Sequence, residues 1–208
     1  MTQEISCTMG SGMFSIYLKL GFEHISDLNA YDHIIFILAL CAIYRLREWR
    51  HVLLLVTAFT IGHSVTLALA ILDFLRFPAK IIEILIPVTI LATSFYNVSL
   101  GDSELQRVKS RAKIRLNYGI ALLFGLIHGM GFSNFLRASM LPGEEGSLWE
   151  QLLAFNIGIE MGQLMIVVFI LLLSYLVLNV LKVRQYHWNL FISGAAAGIA
   201  MTLLADLL

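Results

Sequence analysis

Four histidines and three acids of this chain stand in or beside long apolar stretches, where ionisable groups are uncommon. They are His24, Asp32, His33, His63, Glu83, His128 and Glu160. A charged side chain at the centre of a bilayer costs roughly 2.5–3.5 kcal/mol on insertion scales, so such groups must face one another, water or an ion. Imidazole with carboxylate and no thiolate is a ligand set for Ni²⁺, Co²⁺, Zn²⁺ or Fe²⁺ rather than Cu⁺. The eight methionines are scattered and form no ladder that would suit Cu⁺. A transition-metal site inside a helical bundle is the first chemistry these residues suggest.

Helical spacing groups them further. Asn156, Glu160 and Gln163 follow i, i+4, i+7 and line one face, while Thr60, His63 and Thr66 follow i, i+3, i+6 with Ser64 adjacent. Pro87 lies four residues after Glu83 and removes the helical hydrogen bond to that residue's carbonyl. Asp32 and His33 are adjacent, and the stretch back to His24 contains Asn29, which suggests a bend rather than one straight helix. His63, His128 and Glu160 lie about ten residues in from the ends of their apolar segments, ~15 Å and so near the midplane. Asp32, His33 and Glu83 lie at segment ends on the same side. The candidate metal ligands are therefore His24, Asp32, His33, His63, His128 and Glu160, with Ser64, Thr66, Glu83, Asn156 and Gln163 as supporting polar groups. Asn97 reads as a packing or hydrogen-bonding residue, and Asp27, Asp73 and Asp206 as solvated ends.

The chain has 208 residues, 59% hydrophobic and 13% charged. A soluble domain averages about 25% charge, so this one cannot cover itself with polar groups. The expected fold is all-α: a single membrane domain over 1–208, with an N-terminal interfacial segment over 1–30 and a polytopic helix bundle over 31–208. Residues 13–28 mix apolar and polar side chains and read as an amphipathic interfacial helix. Six apolar segments follow at about 31–46, 51–74, 80–98, 116–138, 150–181 and 187–207, against the ~20 residues a spanning helix needs. Gly125/Gly129, Gly158/Gly162 and Gly194/Gly198 have the GxxxG spacing of closely packed helices, the last pair as packing alone. Phe-x-x-x-His recurs in FTIGHS and FGLIHG, with FNIGIE a looser echo. Cys41 falls in an apolar segment as a small filler, so Cys7 and Cys41 make no disulfide framework.

Arg45, Arg47 and Arg50, then Arg107, Lys109, Arg111, Lys113 and Arg115, then Lys182 and Arg184 occupy alternate connections; acidic Glu144, Glu145 and Glu150 lie on the other side. Basic loops face the cytoplasm, which places both termini outside. Trp49, Trp149 and Trp188 fall at segment ends, as interfacial aromatics do. A net charge of +0 and short basic loops between apolar segments argue against nucleic acid. The expected partners are a metal ion and the lipid bilayer, with a homo-oligomer left open.

The stretches GFEHISDLNAYDHIIFILAL, AFTIGHSVTLALA, IIEILIP, FGLIHGMGFSNFL and FNIGIEMGQL together resemble the HupE/UreJ family of small bacterial membrane proteins. The pairing of H…DH with F-x-x-G-H-S is also similar to the nickel–cobalt permease signature, a His-x4-Asp-His helix followed by a Gly-His-Ser helix. Asp32, His33, His63 and Ser64 match that pattern, whereas seven residues separate His24 from Asp32. The resemblance implies transport of a divalent metal, usually nickel or cobalt, across the bacterial inner membrane.

Three functions compete. In a permease, metal reaches His24, Asp32, His33 and Glu83 from outside and passes to His63, His128 and Glu160, and protonation of the ligands releases it. Polar groups toward the inner side are few, chiefly Asn97, Thr93 and Ser94. In an intramembrane zinc hydrolase, three histidines hold a metal that lowers the pKa of its water to about 7. Glu160 or Glu83 is then the general base acting on a lipid or peptide, although no HExxH motif supports it. A metal-sensing or assembly factor without turnover is the third. The permease is the preferred expectation.

Overall fold

Apolar stretches without strand alternation fold here as helices. The computed structural model describes residues 2–28, 31–107, 111–139 and 148–208, and their side chains except at 2–11, 104, 106–107, 111–113, 132 and 134–139. Asn29, Lys109, Glu144 and Glu145 lie outside the described residues, as do the side chains of Cys7, Arg107, Arg111 and Lys113. Eight α-helices are described: α1 (Thr2–Ser26), α2 (Asp32–Cys41), α3 (Trp49–Ile71), α4 (Ala79–Ser99), α5 (Asp102–Arg107), α6 (Arg111–Ser139), α7 (Leu148–Tyr175) and α8 (Gln185–Leu207). A 3₁₀ turn at Leu46–Glu48 leads into α3, and a π turn at Leu176–Val180 extends α7. Four runs are long and apolar enough to cross a membrane: Leu46–Ile71, Ala79–Ser99, Leu148–Val180 and Gln185–Leu207.

Two elements differ from the sequence expectation. Where a short helix over 13–28 was expected, α1 is 25 residues long and lies along α7. Its contact face is Tyr17, Gly21 and Ile25, a stripe at i, i+4, i+8 that the polar residues between them conceal. The expected first span over 31–46 is also shorter than drawn. α2 has 10 residues, ~15 Å at 1.5 Å each, or about half the hydrocarbon thickness.

The chain after α2 is not helical, yet Ala42, Ile43 and Tyr44 are buried. Irregular backbone at such depth must find partners within the protein. It does so through side chains of α4 and α8: Asn97 Nδ2 donates to the Ala39 carbonyl at 2.7 Å and Gln185 Nε2 to the Ile43 carbonyl at 2.6 Å. Arg45 Nε donates in turn to Gln185 Oε1 at 2.7 Å, and Asn189 Nδ2 to the Asn97 carbonyl at 2.6 Å. The hydrogen-bonding role expected of Asn97 is thus what the structure shows. This end of the bundle, with Arg45, Arg47, Arg50 and Arg184, is the basic end. α2, α4 and α7 run toward it, whereas α3, α6 and α8 run away from it.

Glycines set the closest helix contacts. A β-carbon at Gly62 would overlap the Leu122 carbonyl, one at Gly125 the Phe59 carbonyl, and one at Gly129 the His63 carbonyl and Thr66 Oγ1. Phe59 meets Gly125, and His63 and Thr66 meet Gly129, numbers that rise together, so α3 and α6 run side by side in the same direction. Gly21 against Phe155, Gly158 against Leu18 and Gly162 against Ile25 lock α1 to α7 in the same way. Gly194 and Gly198 do not pack as expected: a β-carbon at either meets nothing within 4 Å. The buried face of α8 is instead that of Trp188, Asn189, Ile192, Ser193, Ala196 and Ala200. Trp188 is likewise buried against Ala42 and Ile192, while Trp49 and Trp149 are exposed as interfacial residues should be. Cys41 is a free, buried core residue.

Gly125→Ala should cost about 1–3 kcal/mol by forcing α3 and α6 apart, and Asn97→Ala about 0.5–1.5 kcal/mol by removing its hydrogen bond to the buried Ala39 carbonyl. Gly119→Ala, on the open face of α6, should leave the melting temperature in detergent unchanged. Equal melting of Gly125→Ala and Gly119→Ala would contradict the close α3–α6 approach.

Candidate metal centre

α1 ends at Ser26 and α2 begins at Asp32, and the break between them delivers two histidines to one place. His24 lies in the last turn of α1 and His33 in the first turn of α2, with ring centroids 4.8 Å apart. α3 brings His63 to 6.0 Å from the His24 ring and 6.4 Å from the His33 ring. Each of these three offers a ring nitrogen, and the three atoms lie within 4.8 Å of one another. A metal bound at ~2.1 Å by three nitrogens draws them to ~3.4 Å apart. Small side-chain rotations close that difference. His128, from α6, sits against the other side of His33 with centroids 5.1 Å apart.

Second partners fix which nitrogen of each ring is bare. Asp32, at the N-terminus of α2 where a negative charge is favoured, accepts from the His33 backbone N–H at 2.9 Å and from His33 Nδ1 at 3.1 Å. That leaves His33 Nε2 as the lone-pair nitrogen, the carboxylate–histidine arrangement that supports a metal ligand. Thr89 Oγ1 donates to the Ile86 carbonyl at 2.7 Å, so it accepts from His128 Nε2 at 3.0 Å and leaves Nδ1 bare.

His33, His63 and His128 are at most 4% exposed. His33 Nε2, both nitrogens of His63 and His128 Nδ1 have no hydrogen-bond partner among the described residues. Each such buried atom costs roughly 1–3 kcal/mol if nothing binds it. A cation that takes nitrogen lone pairs removes that cost at several rings together.

The remaining expected residues fall elsewhere. Glu160 is outside the three-histidine group and accepts from Thr57 Oγ1 at 2.7 Å. Gln163 Oε1 accepts from Thr60 Oγ1 at 2.7 Å, and Asn156 Nδ2 donates to the Leu152 carbonyl at 2.8 Å. The face predicted for α7 exists, but two of its three residues tie α7 to α3. Ser64 and Thr66 donate to carbonyls of their own helix, Thr60 and Gly62 respectively. Glu83 is exposed and lines a cavity of about 280 Å³ with Asp32, Asp206, Tyr31 and Pro87. This acidic vestibule opens at the end of the bundle opposite the basic one and reaches the histidines through Asp32.

Thr89 and Asp206 were not anticipated as site residues. Thr89 follows Pro87 by two and is indistinguishable in sequence from other helix threonines. Asp206 reads as a chain-end charge until the fold sets α8 beside α4.

Asp32→Asn should weaken binding of Co²⁺ or Ni²⁺ about 10–100-fold by loosening the orientation of His33, and His63→Ala should abolish stoichiometric binding, both read by calorimetry on purified protein. Wild-type affinity in either variant would show that the metal sits elsewhere.

The family described as HupE / UreJ protein matches residues 2–205. No curated protein and no solved structure matches the chain.

Proposed function

The chain belongs to the HupE/UreJ family, and from that premise we propose that it is a permease for a divalent transition-metal cation of the nickel or cobalt type. One observation carries the reading: the imidazoles of His24, His33 and His63 converge at the α1–α2 break, with His33 Nε2 and both His63 nitrogens buried and without a hydrogen-bond partner among the described residues, and a vestibule lined by acids stands beside them. Discontinuous helices at mid-depth are a recurrent way of building ion sites in transporters. The positive-inside rule puts the basic end in the cytoplasm of a bacterial inner membrane, with the vestibule and both termini outside.

Asp32, Glu83 and Asp206 concentrate cations at the vestibule. His24, His33 and His63 replace the water shell of the captured ion, and His128 offers a fourth nitrogen on the far side of His33. Asp32 orients His33 rather than binding the metal itself. Glu160 ties α3 to α7 through Thr57 and is not a ligand. Neither Glu160 nor Glu83, the two general bases considered for a hydrolase, joins the three-histidine group among the described residues.

In liposomes loaded with a metal-sensitive dye, the wild type should take up Ni²⁺ or Co²⁺ and His63→Ala should not. Glu160→Gln, which keeps the Thr57 bond, should retain most of the uptake. The double variant Glu83→Gln/Asp206→Asn should slow uptake at low ionic strength and match the wild type in high salt, where surface attraction is screened. Folded wild type that retains zinc tightly and moves no metal would overturn the permease.

A further inference from the structure

α4 and α6 run in opposite directions and approach each other closely at the vestibule end. There Thr89 Oγ1 lies 3.0 Å from His128 Nε2, and a β-carbon on Gly131 would stand 3.2 Å from Ile86 Cδ1 and 3.5 Å from Ile82 Cγ2. Toward the basic end the two helices part around a cavity of about 210 Å³, with Leu40, Ile43 and Tyr44 as its back wall. Ala92 on its rim is exposed, and Tyr96, Ile120 and Phe124 are half-buried. The cavity is therefore a cleft open at the side of the bundle. Its α4 wall belongs to Ala79–Ser99, a run long and apolar enough to cross a membrane, so the opening faces hydrocarbon.

The polar side chains on the wall are engaged with the protein. Thr93 Oγ1 donates to the Thr89 carbonyl at 2.9 Å, Asn97 Nδ2 to the Ala39 carbonyl at 2.7 Å and Asn117 Nδ2 to Tyr44 Oη at 3.0 Å. What the cleft offers an occupant is thus mainly apolar surface. Along α6 that surface extends from Asn117 to Phe124, ~10 Å at 1.5 Å per residue. Arginines stand at its basic end: Arg47 follows Tyr44 by three residues, Arg115 precedes Asn117 by two, and both are exposed. A lipid with its headgroup at that level directs its tails toward the midplane, which is the direction from Asn117 to Phe124.

We propose that the cleft between α4 and α6 is a binding site for an anionic phospholipid from the leaflet at the basic end. One acyl chain lies along α6 from Asn117 to Phe124 and covers Ile43 and Tyr44, and the phosphate stands at the level of Arg47 and Arg115. Lipid tails are as apolar as the wall, so the hydrophobic effect does not favour the cleft over the surrounding bilayer. Van der Waals contact on three sides and attraction of the headgroup to the arginines distinguish the held lipid from its neighbours. The site stands whether or not the chain moves metal.

Native mass spectrometry of the full chain in mild detergent, with phosphatidylglycerol and phosphatidylcholine added in equal amounts, counts the bound lipid. The wild type should retain one phosphatidylglycerol in preference to phosphatidylcholine. Ile120→Trp, which fills the cleft, should lose most of it, and so should Ala92→Trp at the rim, the variant to use should Ile120→Trp fold poorly. Ala195→Trp, on an exposed position of α8, should retain the lipid. Arg47→Gln/Arg115→Gln should cut the preference for phosphatidylglycerol roughly tenfold. Equal retention of the two lipids by the wild type, or wild-type retention of phosphatidylglycerol in both Ile120→Trp and Ala92→Trp, would overturn the site. A lipid-free dimer that Ile120→Trp separates would place a second copy of the chain in the cleft and overturn it as well.

Discussion

Imidazole nitrogens buried without hydrogen-bond partners are the constraint on which the rest of this structure depends. Evolution of a merely stable bundle would replace His63, fully buried and with neither nitrogen partnered among the described residues, by leucine or phenylalanine. Keeping it requires a ligand for which bare lone pairs are an advantage. The surrounding structure serves the same end. Asp32 and Thr89 use one nitrogen of their partner rings and so point the other inward. Glycines at 62, 125 and 129 let α3 and α6 approach until His63 and His128 share a level. The break between α1 and α2 lets two histidines, nine positions apart in sequence, face each other.

A break of that kind creates a second problem and the fold solves it with polar side chains. α2 stops after 10 residues, and the carbonyls of its last turn and of the buried irregular chain beyond it, at the basic end, need donors. Asn97 and Gln185 supply donors to them, and Asn189 steadies Asn97's own backbone. These residues touch neither the vestibule nor the histidines, yet the position of His33 rests on them. The bundle is consequently divided by function. Acids occupy one end, imidazoles the middle, and arginines with the amides of Asn97, Gln185 and Asn189 the other.

Much of this was legible from residue types and spacing. The helical class, the bounds of α3, α4 and α8 to within a few residues, and the convergence of His24, His33 and His63 all follow from apolar segments interrupted by groups that lipid rejects. Other features were not legible. α1 looked interfacial because polar residues interleave with its packed stripe of Tyr17, Gly21 and Ile25. Glu160 matches the histidines in expected depth, but depth does not specify direction: its carboxylate accepts from Thr57 and stands outside the three-histidine group. Gly194 and Gly198 have the spacing of a contact without the contact, since pattern alone cannot say which face of α8 meets α4.

X-ray absorption at the metal edge of purified protein carrying one equivalent of Co²⁺ tests the histidine site most directly. A first shell of nitrogen or oxygen ligands with outer-shell scattering from about three imidazoles, reduced by one in His63→Ala, is the expected spectrum. A shell of oxygens without imidazole scattering, unchanged in His63→Ala, would contradict a site built from His24, His33 and His63.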